Sequence, residues 1–502
     1  MESLAPQTNT DSDNNTNHEH TEPDNLSHKS LAFIKRQDRH IVIVILVIGI
    51  VGLAGGWYAL RHSSNSSNTS TKSGAKTSST SGTYTYNTLK YTYNNNYTLA
   101  QAMSDQAQLS TISFDGLAFI TGSAGADSFF PPGKVADFFG FQYMRDVDTA
   151  GYGHNTTFLS KAANNVLKTL DDNQKAKLVA LAKDQESIYT NFAYNRFPLM
   201  NAFRRDLENQ IPSGSSGLNT DVAKKYTANL YSLDADLSYN RAVVVGGIIH
   251  SFTDAQKAYF AKMEFNNSGS WPDVKEDETL KKSLTNTQFV AVMTYASEMF
   301  SWYKGDLAAD TYYCPERHGT YFGGFYMKDY PAMNNPDYFI STTTTGDKGQ
   351  GFLDILNAQQ KAHITSIIAE QKSALQELTQ IRLDVSTELR KAQAGGTIDK
   401  NKVYTLINRY GQLDGQLSAL YASRFTAVNK TLSADQRTAL VKLRDLTVVP
   451  SGAYMFSTPI NTPAISSTDY FFGVGSMPST AGKTTAPTGF STSTETAKPP
   501  KN

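Results

Sequence analysis

Four stretches of the chain share one rhythm of apolar and polar positions: LDDNQKAKLV from Leu170, FTDAQKAYFA from Phe252, LNAQQKAHIT from Leu356 and LSADQRTALV from Leu432. In each, an apolar residue precedes Asp171, Thr253, Asn357 or Ser433. Three positions later comes Gln174, Gln256, Gln360 or Gln436. Asp, Thr, Asn and Ser are the favoured helix N-caps. A glutamine at the third helical position completes a capping box, with the cap side chain on the glutamine's N–H and the glutamine reaching back to the cap. Each stretch therefore predicts a helix start, with the leading apolar residue as its staple.

The residues that follow keep helical period. Ala176, Leu178 and Leu181 follow the first cap. Ile364, Ile367, Ile368, Leu375 and Leu378 follow the third, as one stripe interrupted at Gln371. No Pro or Gly falls between Asn357 and Lys391, which predicts one helix of about 35 residues and about 50 Å. Ala394-Gly395-Gly396 ends it, and Lys400 to about Val428 returns beside it. Asp171 to Leu207 reads the same way, with Pro198 expected to kink or split it. Gly214 to Gly217 is its turn and Thr220 to His250 its return. Short capped helices are expected over 254–264 and 434–445. The glycine-rich 346–351, GDKGQG, reads as a flexible lead-in to a helix, because no Lys-Ser/Thr pair makes it a phosphate loop. Strand signals are sparse, and the fold class is all-α, built of antiparallel helical hairpins.

The four phrases form two pairs, and the second pair follows the first at offsets of 186 and 180 residues. Other segments obey the same offset. Asp127-Ser-Phe-Phe-Pro-Pro132 returns as Asp310-Thr-Tyr-Tyr-Cys-Pro315, and FGFQYMRD from Phe139 returns as FGGFYMKD from Phe322, both 183 later. LDADLS from Leu233 returns as LDGQLS from Leu413. A third, truncated start stands at Asp469-Tyr-Phe-Phe-Gly473. The chain thus reads as two tandem homologous helical-hairpin units, 101–267 and 268–447, with aromatic, glycine-rich connecting loops. An extended segment, 448–478, is expected to pack on the bundle.

Paired L-T-x-x-Q phrases on a helical chain resemble the LTxxQ family of extracytoplasmic proteins, which includes the Spy- and CpxP-like chaperones and the zinc-resistance-associated proteins. Here the motif positions are 170–174, 252–256, 356–360 and 432–436, with Thr replaced by another cap residue in three copies and Leu by Phe in one. The resemblance covers less than half the chain. It implies small helical units that pair as cradle-shaped dimers, some binding unfolded clients without ATP and some binding zinc. This chain would then be two such units fused.

The ends change the picture of location. Residues 1–40 are Asn-, Asp-, Thr- and His-rich and read as a disordered cytoplasmic tail. Residues 41–60, IVIVILVIGIVGLAGGWYAL, carry no charge, and twenty residues at about 1.5 Å each span one hydrocarbon thickness. Lys29, Lys35, Arg36 and Arg39 precede this run. By the positive-inside rule it predicts a single-pass transmembrane anchor, with the N-terminus in the cytoplasm and the main domain outside. Residues 61–100 read as a Ser/Thr-rich tether and 479–502 as a disordered tail. Lys plus Arg and Asp plus Glu both number 46, so the formal net charge is zero. Nothing marks a nucleic-acid partner, which calls for a basic face. The single cysteine excludes an intramolecular disulfide.

Candidate chemistry is thin. Arg196, Arg204, Arg382 and Arg390 recur on equivalent helices, as do Asp234 and Asp414. They read as structural ion pairs across each hairpin. His154, Cys314 and His318 are the candidate metal ligands by residue type. Against them, Cys314 stands where the first unit has Pro131, and neither histidine recurs. No catalytic set and no cofactor is expected, since neither HExxH nor GxSxG occurs. The expected function is a membrane-anchored extracytoplasmic binding module of ATP-independent, chaperone-like type, with unfolded or envelope proteins as partners. The alternatives are a structural or adhesion protein of the cell envelope and a metal-binding sensor. The first requires a large exposed apolar patch, and the second a polar exterior.

Overall fold

The computed structural model describes residues 83–86, 89–92, 105–121, 156–263, 268–304, 348–444, 453–455, 458–460, 463–479 and 481–482. These residues are mostly helical. In chain order the helices are α1 Asp105–Thr121, α2 Thr156–Thr169, α3 Asp172–Leu207, α4 Thr220–His250, α5 Asp254–Ala261, α6 Glu278–Lys282, α7 Asn286–Lys304, α8 Lys348–Ile355, α9 Ala358–Arg390, α10 Lys400–Thr431 and α11 Ala434–Arg444. Two short antiparallel hairpins flank them, β1 Thr83–Tyr86 with β2 Leu89–Thr92 and β3 Ala453–Met455 with β4 Thr458–Ile460. The first falls inside the stretch read as a tether. The run 41–60, the aromatic segments 127–146 and 310–329, and His154, Cys314 and His318 lie outside the described residues. Among the described residues no helix is long and apolar enough to cross a membrane.

Two expectations are corrected. Pro198 neither splits nor ends α3, which runs unbroken through it. Proline removes one backbone N–H and crowds the preceding turn. Here Phe197, Leu199 and Met200 are all buried, and core packing on these neighbours holds the helix. The glycine-rich lead-in is also helical from Lys348 onward. A side chain at Gly351 would press on Leu443 Cδ1 at 3.0 Å, so glycine there lets α11 lie close to α8.

The long helices pair as two hairpins, α3 with α4 and α9 with α10, and α4 packs along α10 as the most extensive helix contact. Glycine sets that approach. A Cβ on Gly415 would stand 2.0 Å from Thr227 Oγ1, and one on Gly411 would stand 2.8 Å from Thr227 O. Around this seam lie Tyr226, Leu230, Tyr231, Tyr410, Leu413 and Leu417, all buried. The packing of the shorter helices does not follow their order along the sequence. α1, which precedes the first hairpin, packs on α8, α9, α10 and α11. α7, which precedes the second hairpin, packs on α2, α3 and α4. Each hairpin is thus covered by the helix that belongs, by sequence order, with the other.

Candidate functional site

The four capped helix starts are more than local stops. Gln174 N–H donates to Asp171 Oδ1 (2.8 Å) while Asp171 N–H donates to Gln174 Oε1 (3.0 Å). The same reciprocal pair forms at Thr253 and Gln256, at Asn357 and Gln360, and at Ser433 and Gln436. The spare amide N–H groups then join the starts in twos. Gln256 Nε2 donates to Gln174 Oε1 (2.7 Å) and Thr169 O (2.9 Å). Gln436 Nε2 donates to Gln360 Oε1 (2.8 Å) and Ile355 O (2.9 Å). Gln174, Gln256 and Gln360 are buried. A capping box accepts Glu or Gln equally. These positions need the amide, because a carboxylate would lose the donor and set acceptor against acceptor.

Between the first hairpin and α7 lies an enclosed polar cluster. Arg241 on α4 and Glu298 on α7 form an ion pair at 3.2 Å, with side chains 0% and 1% exposed. Arg241 Nη2 donates to Tyr295 Oη (3.3 Å), Arg241 Nε to Gln185 Oε1 (3.4 Å), and Tyr295 Oη–H to Gln185 Oε1 (2.9 Å). Gln185 Nε2 donates to Leu237 O (2.9 Å). The guanidinium also lies 4.3 Å from the centroid of the Tyr295 ring. Burial works against the Arg241 charge, but the oxygens of Tyr295 and Glu298 outweigh it and hold the group firmly protonated. Burial also pushes the phenols of Tyr295 and Tyr189 above their ordinary range. At neutral pH these tyrosines are neutral and the arginine is charged.

The second hairpin and α1 enclose a different set. Gln371, 186 positions after Gln185, donates through Nε2 to Gln108 Oε1 (2.9 Å) and accepts from Tyr421 Oη. Burial raises the Tyr421 phenol, and the nearby Asp115 carboxyl adds to the rise. Tyr421 stands where offset 180 would place Arg241, so the two clusters share their glutamine and differ in their charge.

Arg204 Nη1 donates to Phe119 O at the end of α1, with the guanidinium 5.0 Å from that ring. Arg390 Nη1 donates to Trp302 O near the end of α7 (3.1 Å), 5.7 Å from the indole. Both bonds fix helix ends, the favourable place for a cation. Arg196 and Arg382 are buried. Asp234 accepts from Ser238 Oγ (3.2 Å), and Asp414 Oδ2 accepts from Tyr231 Oη (3.1 Å). Reading by repeats missed Glu298 and Arg241: 57 residues separate them, and Arg241 has Tyr421 as its counterpart in the other unit. The sequence signal was an acidic residue inside the apolar run of α7, matched 183 positions earlier by the buried Asp115 on α1.

Among the described residues the Arg241 and Gln371 clusters are closed to solvent. Among the described residues no three His, Cys, Asp or Glu side chains come together as a metal site. A surface cleft of about 540 Å³ is lined by Asp221, Lys224, Lys225, Asn229, Gln412 and Met477. No protein-family model, no curated protein and no solved structure matches the chain.

Proposed function

We propose that the chain is a single-pass, membrane-anchored protein of the cell envelope. Its duplicated LTxxQ-like helical body serves as a structural or adhesion module on the outer side of the membrane. One observation carries this reading. Among the described residues the large hydrophobic side chains left exposed are Val243 (43%) and Val441 (55%), on different helices. A surface that holds unfolded clients needs a contiguous apolar patch of a few hundred Å². The clasped glutamine pairs support the likeness to LTxxQ units and give it a physical role, the closing of each hairpin at its open end.

A chaperone-like reading has its own support. The aromatic segments 127–146 and 310–329 follow α1 and α7, the two helices whose ends Arg204 and Arg390 hold. An aggregation assay separates the readings. The full chain in nanodiscs is added at equimolar ratio to a chemically denatured client without ATP. No suppression across several clients supports the structural role. Suppression that is lost when Phe139, Phe141 and Tyr143 become Ser supports the chaperone-like one. Protease access to residues beyond 62 in intact cells tests the outward orientation.

A further inference from the structure

The bends of the two long hairpins are built differently. In the second, the backbone N–H of Asp399, the N-cap of α10, donates to Glu388 Oε1 (2.9 Å) of the same hairpin. In the first, the backbone N–H of Asn219, the N-cap of α4, donates to Phe471 O (2.7 Å), 252 residues away in the chain. Residues 468–473 occupy this bend as a peptide occupies a receptor. Arg205 pairs with Asp469 (2.8 Å), donates to Thr468 Oγ1 (2.9 Å) and covers the Phe472 ring at 5.0 Å. Ser215 Oγ donates to Phe472 O (2.7 Å). Phe471 is 0% exposed, with its ring 4.9 Å from that of Tyr226. The turn ends at Gly473 in the left-handed region, φ 76°.

Apart from the Asn219 N–H, much of the bend's backbone is held without this segment. The N–H groups of Glu208, Asn209, Gln210 and Ser215 are bonded within residues 204–215. The segment is joined to the helical body only through a long connection, since Thr468 follows the end of α11, Arg444, by 24 residues. With the β3–β4 hairpin, 453–460, folded back on itself, about 15 residues remain to extend, and at about 3.3 Å each they span up to ~50 Å. That is several helix diameters, enough to reach the same bend on an adjoining copy.

We propose that the bend between α3 and α4 is a receptor for an Asp-Tyr-Phe-Phe-Gly segment, filled by residues 469–473 of its own chain and able to take the same residues from a second copy. Arg205 reads the Asp carboxylate, Tyr226 walls the central Phe, and Asn219 and Ser215 read the backbone. Among the described residues the bend of the other hairpin takes no such segment. Exchange of one element between identical copies is a low-cost route from monomer to dimer.

The test uses the full chain in detergent micelles and a fluorescein-labelled peptide of residues 466–483. Phe471→Ser loosens the chain's own segment and leaves the bend intact. Segments tethered this way compete at an effective concentration on the order of 1 mM. The variant should therefore bind the peptide at least ~30-fold more tightly than the wild-type chain does. Arg205→Ala on that background should weaken binding ~10-fold or more. Absence of peptide binding to a folded Phe471→Ser chain overturns the receptor. Should that variant not fold, a protease site placed within 446–452 of the otherwise unaltered chain opens the connection after folding. Exchange of the released segment for labelled peptide then supports the proposal, and retention without exchange overturns it. For the second copy, Phe471→Ser is mixed with Arg205→Ala, which keeps its segment but has a weakened bend. A one-to-one complex that neither variant forms alone is expected. Its absence where the peptide binds overturns exchange between copies.

Discussion

Gly246 and Gly247 are adjacent on α4, yet the structure assigns opposite signs to the same substitution. A Cβ on Gly247 meets nothing within 4 Å, whereas one on Gly246 would lie 2.4 Å from Ala392 Cβ and 2.9 Å from the Ala392 carbonyl carbon. Within a helix, Gly→Ala is worth about 1 kcal/mol in propensity at an exposed site. Gly247→Ala should therefore stabilise by about that amount. Gly246→Ala gains the same propensity but drives α4 away from the turn Lys391–Ala394. Overpacking of this kind costs about 1–3 kcal/mol, and a contact this short sits at the upper end. The net expectation is a loss of about 1–2 kcal/mol, so the two variants differ by about 2–3 kcal/mol. Urea unfolding of the full chain, followed by helical circular dichroism, reads both as shifts in midpoint at unchanged slope. Adding Ala392→Gly to Gly246→Ala should recover part of the loss, because it removes the 2.4 Å contact and leaves the 2.9 Å contact with the backbone, and a double-mutant cycle reads that coupling. Equal shifts in the same direction for both single variants would refute the close approach of α4 to that turn.

Three further outcomes follow from contacts already described. Glu298→Ala takes the partner carboxylate from the buried Arg241 guanidinium and should cost about 3–5 kcal/mol, read as a loss in unfolding free energy; a loss under 1 kcal/mol would remove the ion pair from the core. Gln256→Glu keeps the capping geometry but forfeits the donor to Gln174 and Thr169, and it should cost about 1–3 kcal/mol of unfolding free energy; unchanged stability would refute the glutamine clasp. Burial pushes the Glu388 carboxyl upward, but the Asp399 N–H and the ammonium groups of Lys391 and Lys402 outweigh it and hold it below its ordinary 4.5. A depressed carboxylate contributes stability that is full above its unfolded value and is lost as pH falls through the folded one. Melting curves taken from pH 6 downward should fall more steeply for wild type than for Glu388→Gln, and parallel curves would refute the assignment.

The helix starts were legible because a capping box is local. The cap and its glutamine sit three residues apart, and no distant contact is needed to see them. The bends at Gly214–Gly217 and Ala394–Gly396 were legible for the same reason. Continuity through Pro198 was not, because it depends on Phe197, Leu199 and Met200 being buried by other helices. The closeness of α8 to α11 at Gly351 was not legible either, because it involves Leu443, some ninety residues on. The Arg241 cluster draws on α3, α4 and α7, and no periodicity in one segment announces a partner in another. The glutamine-to-glutamine bonds lay between these limits. The motif placed each glutamine, but only the meeting of two capped starts in the folded chain gave its spare amide hydrogens their targets.

The placement of α1 has a consequence for how the chain comes into being. α1 is complete at Thr121, but α8, the helix on which it packs most closely, begins at Lys348. Chains are made at about 5–20 residues per second. The first helix therefore waits roughly 10–50 s before its partners exist. Over that time Ile112, Leu117 and Phe119, fully or nearly buried in the finished molecule, have no native surface to rest on. Contacts this distant in sequence also slow the closing step itself. The earliest of the described helices is thus among the last to be enclosed, and its apolar face stays open to misassociation throughout that time.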